Sequence, residues 1–149
     1  MCGIAGIYTF RSQRPVDRGA LERMTRSLAH RGPDDEGFYF DAALGLGHRR
    51  LSILDLSERG HQPMTTPDGR YTISYNGEIY NYLELRGELE SLGHVFHTGT
   101  DTEVVLTLYS VEGVNCLRRL NGMFAIAIWD SLTRTLFLAR DRVGIKPLY

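Results

Sequence analysis

The sequence predicts an α+β domain built mostly from antiparallel sheets. Strand-like segments open and close the chain, helical periodicity fills its middle, and short turns join neighbouring strand-like segments as hairpins. The length of 149 residues suits one packed domain over 1–149, with no internal repeat or low-complexity linker.

Residues 4–10 read as the first strand. A helix over 17–29 carries Leu21, Met24 and Leu28 along one stripe, with Asp17 as its N-cap. Arg31-Gly32-Pro33-Asp34-Asp35 is a turn, after which 38–40 and 44–48 pair as a hairpin around 41–43. A loop holding Gly60, Pro63, Pro67 and Gly69 leads into a strand at 71–75. That strand is expected to stop at Asn76-Gly77, a pair suited to positive φ. Tyr82, Leu85, Leu89 and Leu92 mark a second helix closed by Gly93; Val104, Val105, Leu108 and Tyr109 mark a third. The last strands are 124–129 and 135–139, joined by the turn 130–134. Small and large residues alternate in 124–129, as in a strand covered on both faces rather than a cofactor box.

Composition narrows the partner. Seventeen Lys and Arg against eighteen Asp and Glu leave a formal charge of −1, so no surplus field favours nucleic acid or an anionic membrane. Tyr80 and Tyr82 have no basic stripe beside them, which argues against base stacking. Two cysteines, Cys2 and Cys116, are too few for a disulfide scaffold and fit a reducing cytosol. The apolar stretch 4–10 lacks the basic lead-in of an export signal, and no run of about 18 apolar residues could span a membrane. A cytoplasmic protein acting on a small molecule is expected.

The chemistry begins at Cys2. Initiator Met is trimmed when the next side chain is small, and trimming would give Cys2 a free α-amine. That amine titrates far closer to neutrality than a lysine does, so one residue carries both a thiol nucleophile and the base that ionises it. Gly3 and Gly6 would let substrate and backbone approach closely. On position alone a Cys after Met is an ordinary small residue, and other residues must carry the argument.

They do so as ordered blocks. Cys2-Gly3-Ile4-Ala5-Gly6-Ile7, His30-Arg31-Gly32-Pro33-Asp34, Arg50-Leu51-Ser52-Ile53, Asn76-Gly77-Glu78-Ile79-Tyr80-Asn81, Thr100-Asp101 and 141–149 run from end to end. Together they resemble the class II glutamine amidotransferase domain of asparagine synthetases, an N-terminal nucleophile hydrolase. The resemblance implies an αββα sandwich of two antiparallel sheets between helices. It implies that L-glutamine is hydrolysed to glutamate and ammonia through a Cys2 γ-glutamyl thioester, with Asn76 and Gly77 as the oxyanion hole. By the same resemblance Arg50 holds the glutamine carboxylate and Asp101 its ammonium, while Leu51, Ser52, Ile53, Asn76, Gly77 and Glu78 line the pocket. Arg49 is the weaker candidate for the clamp. Alone, Asn76-Gly77 would read as a hairpin turn, Arg50 as a solvated charge and Asp101 as a helix N-cap ahead of Glu103.

No cofactor is expected for this glutaminase step. ATP and Mg²⁺ are implied only for a C-terminal synthetase domain making asparagine, whose Ser-Gly-Gly-x-Asp-Ser loop the sequence does not contain. The chain ends at Tyr149 inside the last block, so a C-terminally truncated domain is expected, and a homodimer is compatible with the family. Three other readings stand beside this one: a synthetase-like enzyme amidating another carboxylate, a different N-terminal nucleophile hydrolase that would lack the Arg50 and Asp101 clamp and process peptides or acylated substrates, and a non-catalytic homologue that retains Met1. No metal site is expected. His94 and His97 would fall on opposite faces if 95–96 is a strand, and His30 and His48 lack ligands at metal spacing. Cys116 reads as a buried small hydrophobe.

Overall fold

A computed structural model describes residues 1–12 and 14–149. Its first sheet has the order β1-β3-β2, with β1 at Gly3–Tyr8, β2 at Asp35–Asp41 and β3 at Leu44–Arg50, all antiparallel. The expected hairpin is β2-β3, turned at Ala42 with φ 44°. Helix α1 (Arg18–Ser27) packs on this sheet, capped by Asp17 accepting from the Ala20 N–H at 3.0 Å.

The alternation Leu44-Gly45-Leu46-Gly47 explains that packing. Gly45 and Gly47 present no side chains, and Leu21 and Thr25 of α1 fill the space. Leu44 and Leu46 point the other way and meet Ala127 and Trp129 of the second sheet. Thr25 is therefore buried while Met24 is 43% exposed, which corrects the expected stripe. Only a side chain as small as Thr fits over Gly47, so sheet geometry overrides hydrophobicity.

The second sheet has the order β4-β5-β6-β7, with β4 at Met64–Thr65, β5 at Tyr71–Ile79, β6 at Gly122–Asp130 and β7 at Thr135–Arg140. Helices α2 (Tyr82–Ser91) and α3 (Asp101–Glu112) cover it, burying Leu85, Leu89, Val104 and Leu108 against Ile73, Ile79, Ile126 and Ile128. Each such side chain stabilises the domain by about 1.5–3 kcal/mol relative to exposure. Residues 124–129 are buried on both faces, as expected. Helix, sheet, sheet and helices form the αββα sandwich.

Several local features differ from expectation. β5 does not stop at Asn76-Gly77 but runs to Ile79, and neither residue has positive φ. Gly77 is needed for proximity instead, because a Cβ there would meet Met123 O and stand 2.8 Å from Phe124 Cα. α2 is closed at Gly93 (φ 93°) as expected, but Leu92 is 71% exposed at the cap. Residues 95–96 are not a strand, so His94 and His97 sit in a loop rather than on opposite strand faces. Among the described residues no group of three or more His, Cys, Asp or Glu side chains is placed to hold a metal ion.

Candidate active site

The β1–β3 register pairs Gly3 with Arg49, which sets Cys2 beside the end of β3. The ends of β1, β3 and β5 and the start of α3 converge on one cleft of about 90 Å³. Its walls include Cys2, Arg50, Leu51, Ile53, Asn76, Gly77, Glu78 and Asp101, so the structure gathers all but one of the expected residues. The exception is Ser52, which lines a neighbouring open cleft and gives its N–H to Asp34 Oδ2 at 2.8 Å.

Cys2 is half-buried, and Leu51 brackets its sulfur: the Leu51 N–H donates to Sγ at 3.4 Å, and the thiol faces Leu51 O at 3.8 Å. Arg31 holds the residue from behind, donating from Nε to Cys2 O at 3.1 Å. The His30–Asp34 block is thus a ledge under Cys2. Gly32 is there because a Cβ would collide with the Arg49 carbonyl, and Arg49 Nε donates to Gly32 O at 2.9 Å. That bond ties Arg49 to the ledge; Arg49 does not line the cleft.

The ladder alternation aims Gly77. Tyr80 N–H donates to Asn121 O at 2.8 Å, so even-numbered residues at this end of β5 bond β6 and odd-numbered ones turn their N–H away. Tyr75 and Ile79 do so, donating to Gln62 Oε1 at 2.8 Å and Asp101 Oδ2 at 2.9 Å. Phe124, opposite Gly77, is occupied elsewhere: its N–H goes to Asp141 Oδ2 at 3.2 Å and its carbonyl accepts from Asp141 N–H at 2.8 Å. The Gly77 N–H is therefore left at the uncovered edge of β5, facing the cleft. Asn76 is 4% exposed, and its side chain shares a face with Ser74, whose hydroxyl reaches Gly47 O in the first sheet at 3.2 Å. Asn76 lines the cleft, with its side chain on the face of β5 turned toward the first sheet.

Arg50 is 6% exposed and committed to a loop. Its guanidinium donates to Ser57 O at 2.9 Å, Leu54 O at 3.2 Å and Asp55 O, and Gly60 has no Cβ because the guanidinium lies against it. Asp101 is 5% exposed, with Oδ2 accepting from Tyr75 OH at 2.7 Å and from the Ile79 N–H. Burial raises its pKa above the usual carboxylate range, against the pull of those two bonds. Burial, then the charge of Asp101, pushes the Tyr75 hydroxyl well above its ordinary value. Asp101 is not the N-cap of α3. Thr100 is, accepting from Glu103 N–H at 3.3 Å while Glu103 turns back to Thr98 N–H at 2.7 Å, and this frees the Asp101 carboxylate for the cleft.

Sequence reasoning missed Met1, Gln62, Tyr75 and Lys146, all in the cleft wall. Gln62 and Tyr75 hold the edge of β5 and the Asp101 carboxylate, roles set by pairing across distant segments. Lys146 stood inside the 141–149 block, and its signal was a cation flanked by Ile145 and Pro147. Asp141 shapes that turn, accepting from Ile145 N–H at 2.8 Å and Lys146 N–H at 2.9 Å.

The model of a glutamine amidotransferase domain family matches residues 1–149. The chain is 44% identical over its whole length to Bacillus subtilis asparagine synthetase 1 (glutamine-hydrolyzing) and 38% identical to the Brassica oleracea asparagine synthetase (glutamine-hydrolyzing). It spans 24% and 25% of those two proteins, about a quarter of their length. The solved glutamine phosphoribosylpyrophosphate amidotransferase of B. subtilis, complexed with ADP and GMP, superposes with a TM-score of 0.80. That likeness covers 99% of this chain and 38% of that one at 21% identity, and shows a shared fold. With a whole-chain family match, and a cleft that collects the residues of its ordered blocks, the chain belongs to the glutamine amidotransferase domain family.

Proposed function

We propose that this domain, after loss of Met1, hydrolyses L-glutamine to L-glutamate and ammonia with Cys2 as nucleophile. The observation that carries this reading is the convergence of a bracketed thiol, an amide donor and an edge N–H on one cleft. The Cys2 α-amine takes the thiol proton, and sulfur attacks the glutamine side-chain carbonyl. The resulting oxyanion is met by the Asn76 amide and the Gly77 N–H, donors already fixed on a strand. Collapse breaks the C–N bond, the α-ammonium returns its proton to the leaving nitrogen, and ammonia departs. Water, deprotonated by the same amine, cleaves the thioester to glutamate and restores the thiol.

The substrate head group meets Asp101 and Arg50. Both bonds to Asp101 fall on Oδ2, which leaves Oδ1 for an ammonium. Both hydrogens of Arg50 Nη2 are committed to loop carbonyls, and either bidentate edge of a guanidinium uses that nitrogen. Bidentate carboxylate binding at Arg50 therefore displaces at least one of those carbonyls.

In the same reading, ammonia feeds ATP- and Mg²⁺-dependent conversion of aspartate to asparagine by a C-terminal synthetase domain, in a cytoplasmic protein able to pair as a homodimer. The names and greater length of the matched relatives support that context. Intact-mass measurement, to establish loss of Met1, with a glutamate-release assay tests the core claim. Cys2→Ala should abolish glutamate release and keep the fold; residual activity above about a tenth of wild type ends the assignment, since an acylating nucleophile leaves no such remainder.

A further inference from the structure

Lys146 is the sole lysine of the chain; the other sixteen of its seventeen Lys and Arg residues are arginines. It is 2% exposed, yet the only hydrogen bond its ammonium makes among the described residues is to Met1 Sδ, at 2.7 Å. A thioether is a weak acceptor, and a buried ammonium with no better partner is costly. The contact also disappears when Met1 is removed. Met1 Sδ lies a few covalent bonds from the Cys2 nitrogen, at most roughly 7 Å away, so the freed charge faces the new N-terminus.

We propose that, once Met1 is cleaved, the Lys146 ammonium acts on the reaction through Cys2: its charge opposes protonation of the α-amine and favours the thiolate. The sole lysine thereby sets the pH at which the nucleophile becomes competent. This rests on Cys2 being the nucleophile. A compact point charge suits the task, whereas a guanidinium in the same place would seek planar acceptors. The other charged or titratable groups around Cys2 are Arg50 of β3, Tyr75 and Glu78 of β5, Asp101 of α3, and Arg31 behind the Cys2 carbonyl. Glu78 and Asp101 oppose Lys146. Arg31 and Arg50 reinforce it, but Arg31 is bonded to Cys2 O and Arg50 to the 54–57 loop. Lys146 alone loses its partner on processing.

The test uses purified protein whose loss of Met1 is established by intact mass. Two profiles are measured against pH: kcat/KM for glutamine, and the rate of Cys2 alkylation by iodoacetamide without glutamine. Lys146→Met should move the acid limb of both upward by about one pH unit, the size of effect a nearby charge exerts. Lys146→Arg should return both limbs close to wild type. Profiles of Lys146→Met that superimpose on wild type overturn the proposal. If the Met variant loses its folded circular dichroism spectrum, Lys146→Gln takes its place under the same criterion. A wild-type protein that alkylates at Cys2 but releases no glutamate would sink the glutaminase reading, and the alkylation profile would still judge the lysine.

Discussion

The two cysteines sit in opposite surroundings. Cys116 is 1% exposed, in a short 3₁₀ helix (Gly113–Arg118) packed into the helix-covered core with Leu108 and Leu120. Burial first, and then the charge of Glu112, pushes its thiol up to about 11. Cys2 lies half-buried at a sheet end, with a backbone N–H on its sulfur, an amide and an edge N–H across the cleft, and a buried ammonium nearby. Burial by itself makes a thiol inert. Reactivity needs donors that a packed apolar core cannot offer, and the cleft obtains them from an edge N–H of β5 that the ladder does not use and from a Lys146 ammonium held only by a thioether.

Removing one of those donors should have the largest effect. Asn76→Ala is expected to lower kcat by about 10²–10³-fold while KM moves little, because the oxyanion exists only after attack. Asn76→Asp should be worse, since a carboxylate repels the charge that an amide would stabilise. A folded Asn76→Asp enzyme with near-normal kcat would show that Asn76 serves the sheet and not the reaction. Melting temperatures measured alongside kcat and KM separate the two cases.

Cys2, Asn76, Gly77 and Asp101 were legible in the sequence as residues of one cleft because each falls within an ordered block, and the blocks mark positions without describing geometry. Geometry was less legible. Gly77 looked like a turn residue because a glycine needed for close approach and one needed for positive φ are the same letter. Met24 looked buried because a helical stripe cannot announce that Gly47 admits only Thr25. Arg50 was read as a free clamp, whereas its three acceptors are backbone carbonyls, which no side-chain pattern reveals. Lys146 depends on a contact between the two ends of the chain, 145 residues apart, which no local window contains.

His48 stands between the two regions. Its Nε2 bonds Tyr75 O at 3.0 Å and its Nδ1 is buried without a partner among the described residues. Burial lowers its pKa from 6.5 to about 4, outweighing the opposing pull of Tyr75 O and Asp35. The folded state therefore binds this proton less readily than the unfolded chain. The associated stability is fully present above pH 6.5 and is lost as pH falls toward 4, amounting to roughly 3 kcal/mol. Urea unfolding at several pH values should show that loss, and His48→Gln should flatten it. An unchanged slope in the variant would mean that other groups carry the acid sensitivity.

The smallest expected effect tests the inert side of the comparison. Cys116→Ala removes a buried sulfur from a site touching apolar neighbours, so it should cost about 1 kcal/mol, at the low end for truncation in a core. For a domain of this size that lowers Tm by roughly 2–4 °C. Neither kcat nor KM for glutamine should change, because the residue is absent from the cleft wall. Labelling gives an independent reading. With its thiol pushed up to about 11, Cys116 is ionised to only about one part in a thousand at pH 8, and its 1% exposure blocks the reagent as well. Mass analysis after brief iodoacetamide treatment should find the adduct on Cys2 alone, and Cys116→Ala should leave the labelling rate unaltered. Equal labelling of both thiols in the folded protein would break the comparison. It would mean that the helix-covered core opens readily, and that Cys2 owes its reactivity to exposure rather than to the donors around it.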